Sequence, residues 1–325
     1  MSPRRPAAVL FTLALFASAC STATPSVGPS GSTGDACATA PEPADTAAWG
    51  APTKTPTLIP VLVSNNVTCG QGRLMFLYLD ASNRVASAPD RTAKVSFYNL
   101  GRDPGKVVTS ADGAFVWTIE GERGMYALAV DLPEAGLWGA EFTTQAPGSP
   151  AETVRLTFPV SASTPTVRVG EKAPASRNPT LADVGGDARK ISTDQNPDPA
   201  FYTTSVADAL AAKKPFIVVF ATPKFCKTAQ CGPTLEHFKP IAAAHPEVTF
   251  INIEPYQLHD VDGQLQPVLS ATNDLQATDI TDDWGLLSEP WIFAVDRDGI
   301  VRGSYEVTIS DAELNAILPI IARGS

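Results

Sequence analysis

The sequence predicts a two-part fold, an all-β antiparallel sandwich followed by an α/β domain. Between about residues 55 and 164, short apolar and aromatic runs alternate with turn signals, and no stretch has a convincing helical period. From 198 onward, continuous apolar runs alternate with capped amphipathic segments, the pattern of strands buried between helices. The length of 325 residues fits two such domains, at about 150 residues each.

Composition narrows the class of partner. Hydrophobic residues make up 44% of the chain, enough for ordinary cores, and charged residues only 18%. The formal charge is −10, from 24 basic and 34 acidic side chains, and no concentrated basic face is visible. That balance excludes a nucleic-acid partner, because phosphate binding needs such a face.

The chain starts with an export pattern. Arg4 and Arg5 precede an apolar run over 7–19, too short to span a bilayer, and no acidic residue occurs before Asp35. The run ends in Ala17-Ser18-Ala19-Cys20, which resembles a bacterial lipobox, although Ala17 stands where that motif more often carries Leu. The resemblance implies a signal peptide over 1–19, cleavage before Cys20 and lipidation of Cys20. The stretch 21–34 has too few apolar groups to fold, so 20–54 is expected to be a flexible tether. The expected location is the extracytoplasmic face of a bacterial cell membrane, held there by lipid alone.

Setting Cys20 aside leaves Cys37, Cys69, Cys226 and Cys231, an even set for a compartment where disulfides persist. Such a set allows several pairings. Closeness in sequence favours Cys226 with Cys231, which leaves Cys37 and Cys69 as a structural disulfide candidate; a mobile, unpaired Cys37 is the competing reading.

Within 55–164, candidate strands cover 57–63, 73–79, 93–98, 114–119, 125–130, 138–143 and 153–160. Turn signals such as Ala111-Asp112-Gly113 lie between them. The segment from Gly124-Met125-Tyr126 to Pro133-Glu134-Ala135-Gly136-Leu137-Trp138 resembles the corner of immunoglobulin-like bacterial envelope domains. The resemblance implies an immunoglobulin-like sandwich with Tyr126, Trp117 and Trp138 in its core. Some such domains bind copper, but histidine is absent before His237, so no copper site carries over.

A Pro-, Asn- and Asp-bearing linker is expected over 165–197, followed by the second domain over 198–325. There, 205–213 reads as a helix capped by Ser205, 216–220 as a buried strand and 234–244 as a helix interrupted at Pro240. Strands are expected at 248–253, 291–295 and 300–307, and the acidic stretch 259–283 as a solvated insertion. A last helix over 311–322 carries a Ser310/Glu313 capping box and an apolar face of Leu314, Ile317, Leu318 and Ile321.

Cysteines at the end of the first buried strand, Pro290 before a strand and Asp296-x-Asp298-Gly299 after it together resemble the thioredoxin fold, and more closely the TlpA-like extracytoplasmic thioredoxins. The resemblance implies a cis Pro290 facing Cys226 and Cys231, and thiol–disulfide exchange on envelope protein thiols or disulfides, with no cofactor. The chain departs from the family in carrying Cys226-Lys-Thr-Ala-Gln-Cys231 instead of Cys-x-x-Cys. In one alignment Cys226 attacks and Cys231 resolves. In the other, Cys231-Gly232-Pro233-Thr234 matches Cys-Gly-Pro-Cys with Thr234 in place of the second cysteine. The second is favoured, because Pro233 suits a first helical turn and puts Cys231 at the positive helix end, where a thiolate is stabilised. Glu289 before the proline is a further departure, a carboxylate expected to raise a nearby thiol's pKa.

Two other readings remain. A non-catalytic binding or scaffold lipoprotein would use Cys226–Cys231 as a structural bridge. A Sco-like copper chaperone would need Cys226, Cys231 and His259, with a cysteine spacing wrong for that family. His237 reads as a surface or groove residue, and Asp260-Val261-Asp262-Gly263 lacks the third carboxylate of a calcium loop, so no metal ligands are assigned.

Overall fold

Strand β1 (Leu58–Leu62) and strand β2 (Gly70–Asp80) begin an antiparallel sheet completed by β6 (Arg123–Leu132) and β5 (Ala114–Ile119), in the order β1-β2-β6-β5. A second antiparallel sheet, in the order β4-β3-β7-β8, holds β3 (Thr92–Asn99), β4 (Val107–Asp112), β7 (Gly136–Gln145) and β8 (Glu152–Val160). Residues of period two from both sheets close one core: Leu74, Phe76 and Tyr78 from β2 and Tyr126 and Leu128 from β6 meet Val95, Phe97, Ala140 and Phe142. The first half of the fold is therefore a β-sandwich. Tyr126 is fully buried, and its hydroxyl donates to the Ala88 carbonyl at 2.9 Å, while the Trp138 indole donates to the Glu134 carbonyl. Strand β4, absent from the expectation, is an edge strand whose Val107 and Val108 are exposed, so it has no buried face to mark it.

The structure is a computed structural model and describes residues 37–49 and 55–323. The signal peptide 1–19 and the lipidation site Cys20 lie outside the described residues. Part of the expected tether is nonetheless seated on the sandwich. Cys37 is bonded to Cys69, the Ala40 N–H donates to the Ala135 carbonyl, and Trp49 packs edge-on against Tyr98. Gly139 makes room for that indole, since a Cβ there would lie 2.6 Å from it.

In the second half, β9 (Phe216–Phe220), β10 (Thr249–Ile253), β13 (Trp291–Val295) and β14 (Val301–Glu306) form a mixed sheet in the order β10-β9-β13-β14. β10 runs parallel to β9; β13 is antiparallel to β9 and β14 to β13. Helices cover both faces, which is why β9 and β13 read as unbroken apolar runs. Ile217, Val219 and Ile292 face α2 (Cys231–Ala244) and α4 (Asp311–Arg323). Phe216, Val218, Phe220 and Phe293 face α1 (Val206–Ala211) and the turn after α3 (Asp279–Asp283), where Trp284 is fully buried. The caps form as expected: Asp208 N–H donates to Ser205 Oγ, and Ser310 and Glu313 bond reciprocally.

The acidic stretch 259–283 carries a hairpin of β11 (Leu258–Val261) and β12 (Gln264–Pro267) followed by α3, and most of its residues are exposed or half-buried. The linker 165–197 is laid along the second half. Thr166 donates to the Gly285 carbonyl, Val167 N–H to the Trp284 carbonyl, and the Asn178 side chain accepts from Val206 N–H. Polar side chains thus take up backbone groups that a free connector would leave to water.

The described residues belong to one compact unit, and the sandwich meets the second half along a defined seam. Met75, Val116, Met125 and Ala127, on the outer face of the β1-β2-β6-β5 sheet, pack on Val307. Beside them Arg73 pairs with Glu313 at 2.6 Å and donates to the Glu306 carbonyl. Burial pushes the Glu313 carboxyl up, but Arg73 and Ser310 outweigh it and hold the group below the usual carboxylate range.

Candidate functional site

Buried strand β9 ends at Phe220 and delivers the chain through Thr222-Pro223-Lys224-Phe225 to Cys226. The loop turns back at Ala229, in the left-handed region at φ 60°, and enters α2 at Cys231. Helix α2 therefore starts at the second cysteine and not at Thr234, since Pro233 in the first turn needs no hydrogen-bond acceptor. Cys226 and Cys231 are joined in a disulfide, with Cα atoms 6.0 Å apart.

The two sulfurs are not equivalent. Cys231 is fully buried in the core between the sheet and α2, whereas Cys226 is partly exposed. The Cys231 N–H, at the helix start, donates to Cys226 Sγ at 3.2 Å, and the Thr228 hydroxyl lies 3.3 Å from the same sulfur. The expectation that Cys231 is the sulfur presented at the positive helix end is thus corrected. Cys231 occupies the helix start, but its side chain points into the core and its backbone N–H serves its partner.

Pro290 is buried at the start of β13, and the Glu289–Pro290 bond is cis. Hydrogen bonds from the cysteine loop bring this turn beside the disulfide. Thr228 Oγ1 donates to the Glu289 carbonyl at 3.1 Å, and Lys227 N–H donates to Glu289 Oε1 at 3.0 Å. The other carboxylate oxygen accepts from the Tyr256 hydroxyl, whose pKa is raised by burial and by that carboxylate. Glu289 is therefore an internal clamp on the loop between the cysteines. The lysines flanking Cys226 stay exposed, with Lys227 Nζ over the Tyr256 ring and Lys224 Nζ bonded to the Leu265 carbonyl of the hairpin.

A second buried carboxylate lies under the approach to Cys226. Glu254, just past β10, accepts from Thr193 N–H and Oγ1 at 2.6 and 2.7 Å, and the Thr193 hydroxyl in turn accepts from Lys224 N–H. Burial pushes the Glu254 carboxyl up to about 7, against the nearby Thr222 hydroxyl and the Thr193 hydrogen bonds, which favour its charge. Neither Glu254 nor Tyr256 was legible beforehand, because each acts through partners more than 30 positions away. His237 is on the surface of α2, 3.2 Å from Asp311, and His259 is exposed on β11. Among the described residues no group of three or more His, Cys, Asp or Glu is gathered as a metal site.

No protein-family model and no curated protein matches this chain. Three solved structures show limited likeness. A DUF4426 family protein from Pseudomonas aeruginosa PAO1 shares 16% identity at a TM-score of 0.21, over 28% of this chain and 66% of that one. CopC from Methylosinus trichosporium OB3b shares 14% at 0.20, over 32% of this chain and 94% of that one. MtrC from Shewanella baltica OS185 shares 11% at 0.22, and the chain spans 32% of its length. Among the described residues no helix is long and apolar enough to cross a membrane.

Proposed function

We propose that this chain is a lipid-anchored, extracytoplasmic thiol–disulfide oxidoreductase, with an immunoglobulin-like domain carrying a TlpA-like thioredoxin domain. The observation that supports it best is the asymmetry of the Cys226–Cys231 pair. Cys226 Sγ, partly exposed in the loop before α2, accepts the backbone N–H at the helix start; Cys231 is buried and bonded to it. Exchange needs this division, an attacking thiolate open to substrate and a resolving thiol shielded from it.

In the reducing direction, the Cys226 thiolate attacks a substrate disulfide, forming a mixed disulfide and releasing one substrate thiolate. Cys231, on losing its proton, attacks Cys226 Sγ, restores the Cys226–Cys231 bond and releases the second substrate thiolate. Two electrons pass from the protein dithiol to the substrate; oxidation of a substrate dithiol is the same sequence reversed. Helix α2 stabilises the Cys226 thiolate through its positive end.

The test is trapping of envelope proteins by single-cysteine variants, together with the reduction potential of the pair. Cys231→Ser is expected to accumulate mixed disulfides through Cys226, and Cys226→Ser far fewer. No trapping by either variant, with a native potential below about −300 mV, would make the bridge structural and the protein a non-catalytic scaffold.

A further inference from the structure

The turn that clamps the cysteine loop is itself held from the sandwich. Ser288, one residue before Glu289, donates its hydroxyl to Glu306 Oε1 at 2.7 Å. The same buried carboxylate accepts from Asn65 Nδ2 at 2.6 Å and from Asn65 N–H at 3.2 and 3.3 Å, and Asn65 follows β1 of the sandwich. Arg73 of β2 donates to the Glu306 carbonyl. The next residue, Val307, is β-branched yet held at φ 68°, a conformation that persists only where surroundings impose it. Its N–H donates to the Pro290 carbonyl, its carbonyl accepts from Thr234 of α2, and its side chain is packed under Met75, Val116 and Met125 of the sandwich.

From these contacts we infer that Glu306 is a positioning residue for the disulfide, and that the sandwich, through Asn65, is part of the redox site rather than a separate module. Asn65 and Ser288 converge on Glu306, Ser288 fixes the turn at Glu289-Pro290, and Glu289 fixes Lys227 and Thr228 between the cysteines. The clamp holds the oxidised loop, so loosening it favours the dithiol. This inference deepens the proposed redox function and rests on it.

The experiment equilibrates the full chain with a small dithiol of known potential and reads the fraction of Cys226–Cys231 reduced. Glu306→Ala is expected to shift the equilibrium at least about tenfold toward the reduced protein, about 30 mV for a two-electron couple. Asn65→Ala should shift it in the same direction by a smaller factor. Glu306→Gln, which loses the charge and keeps the acceptor oxygen, should stay within about twofold of wild type, which separates hydrogen-bonded positioning from a through-space charge effect. Arg155→Ala, which removes an ion pair with Glu141 on the other sheet, should also leave it unchanged. Should Glu306→Ala fail to fold, Asn65→Ala decides. A folded variant with wild-type equilibrium overturns the inference, as does a shift by Glu306→Gln as large as by Glu306→Ala. The Lys227 amide gives an independent reading, because its hydrogen exchange should speed up in Asn65→Ala. A wild-type bridge inert to the dithiol would sink the proposed function alone, and unchanged Lys227 protection the positioning role alone.

Discussion

The backbone N–H of Cys231 points at the sulfur of Cys226, 3.2 Å away, while the Cys231 side chain is sealed in the core. A helix start therefore serves the cysteine five residues upstream. In the reduced protein this arrangement should make Cys226 the fast thiol. Alkylation with iodoacetamide at pH 7, followed by peptide mass spectrometry, is expected to modify Cys226 at least about tenfold faster than Cys231, since thiolate fraction and access act in the same direction. Equal rates at the two positions would remove the assigned roles.

What the sequence disclosed and what it hid have separate physical origins. The runs at Phe216 to Phe220 and Trp291 to Val295 were legible because a strand covered on both faces leaves an unbroken apolar signature. The Ser310/Glu313 box was legible because its partners are close in sequence. Strand β4 was not, since an exposed edge has no buried face. The burial of Cys231 was hidden too, because helix position sets the direction of a backbone N–H and says little about which way the side chain turns. The Glu289 and Glu306 clamps depend on pairings 62 and 241 positions apart, which no local pattern encodes.

The anchor makes the simplest prediction. The lipobox-like Ala17-Ser18-Ala19-Cys20 motivates acylation, and no helix among the described residues can span a bilayer. Cys20→Ala should therefore move the protein from the membrane fraction to the soluble fraction on cell fractionation. Membrane association that survives the substitution would require another attachment.

The Cys37–Cys69 bridge joins residues separated by 32 positions, so its loop-closure contribution is about 3–4 kcal/mol, against about 2 for the short Cys226–Cys231 loop. Cys37→Ser with Cys69→Ser should lower the stability of the protein by an amount of that order in urea denaturation. Removing the Cys226–Cys231 bridge should cost less. The reverse order would mean that the short bridge has the larger structural role.

Gly285 tests how the connector is held. At φ 61° it is a left-handed position, and a Cβ there would lie 1.9 Å from the Pro165 carbonyl oxygen, which is backbone and cannot swing away. Gly285→Ala should destabilise the protein by more than about 1 kcal/mol and expose 165–197 to limited proteolysis. Protease resistance of this interval in the variant would show that the connector is held without the Thr166 and Val167 contacts.

Glu254 carries the pH dependence. Its carboxyl is pushed from 4.5 up to about 7 by burial, so the folded chain binds this proton more tightly than the unfolded chain does. A group whose pKa is raised on folding contributes its full stability below the unfolded value, and that contribution is lost as pH rises toward the folded value. The stability that Glu254 itself contributes should therefore fall between about pH 4.5 and pH 7 and level off above, by about 3 kcal/mol at most. Glu254→Gln keeps the oxygen that accepts from Thr193 and has no proton to lose. Urea denaturation should show the variant more stable than wild type at pH 8, with the difference narrowing or reversing at pH 5. Because the Thr193 hydroxyl also receives the Lys224 N–H on the approach to Cys226, the same ionisation reaches the backbone that leads to the disulfide. Parallel stability profiles of the two proteins across this range would show that Glu254 ionises at its ordinary pKa and that its burial is relieved by water.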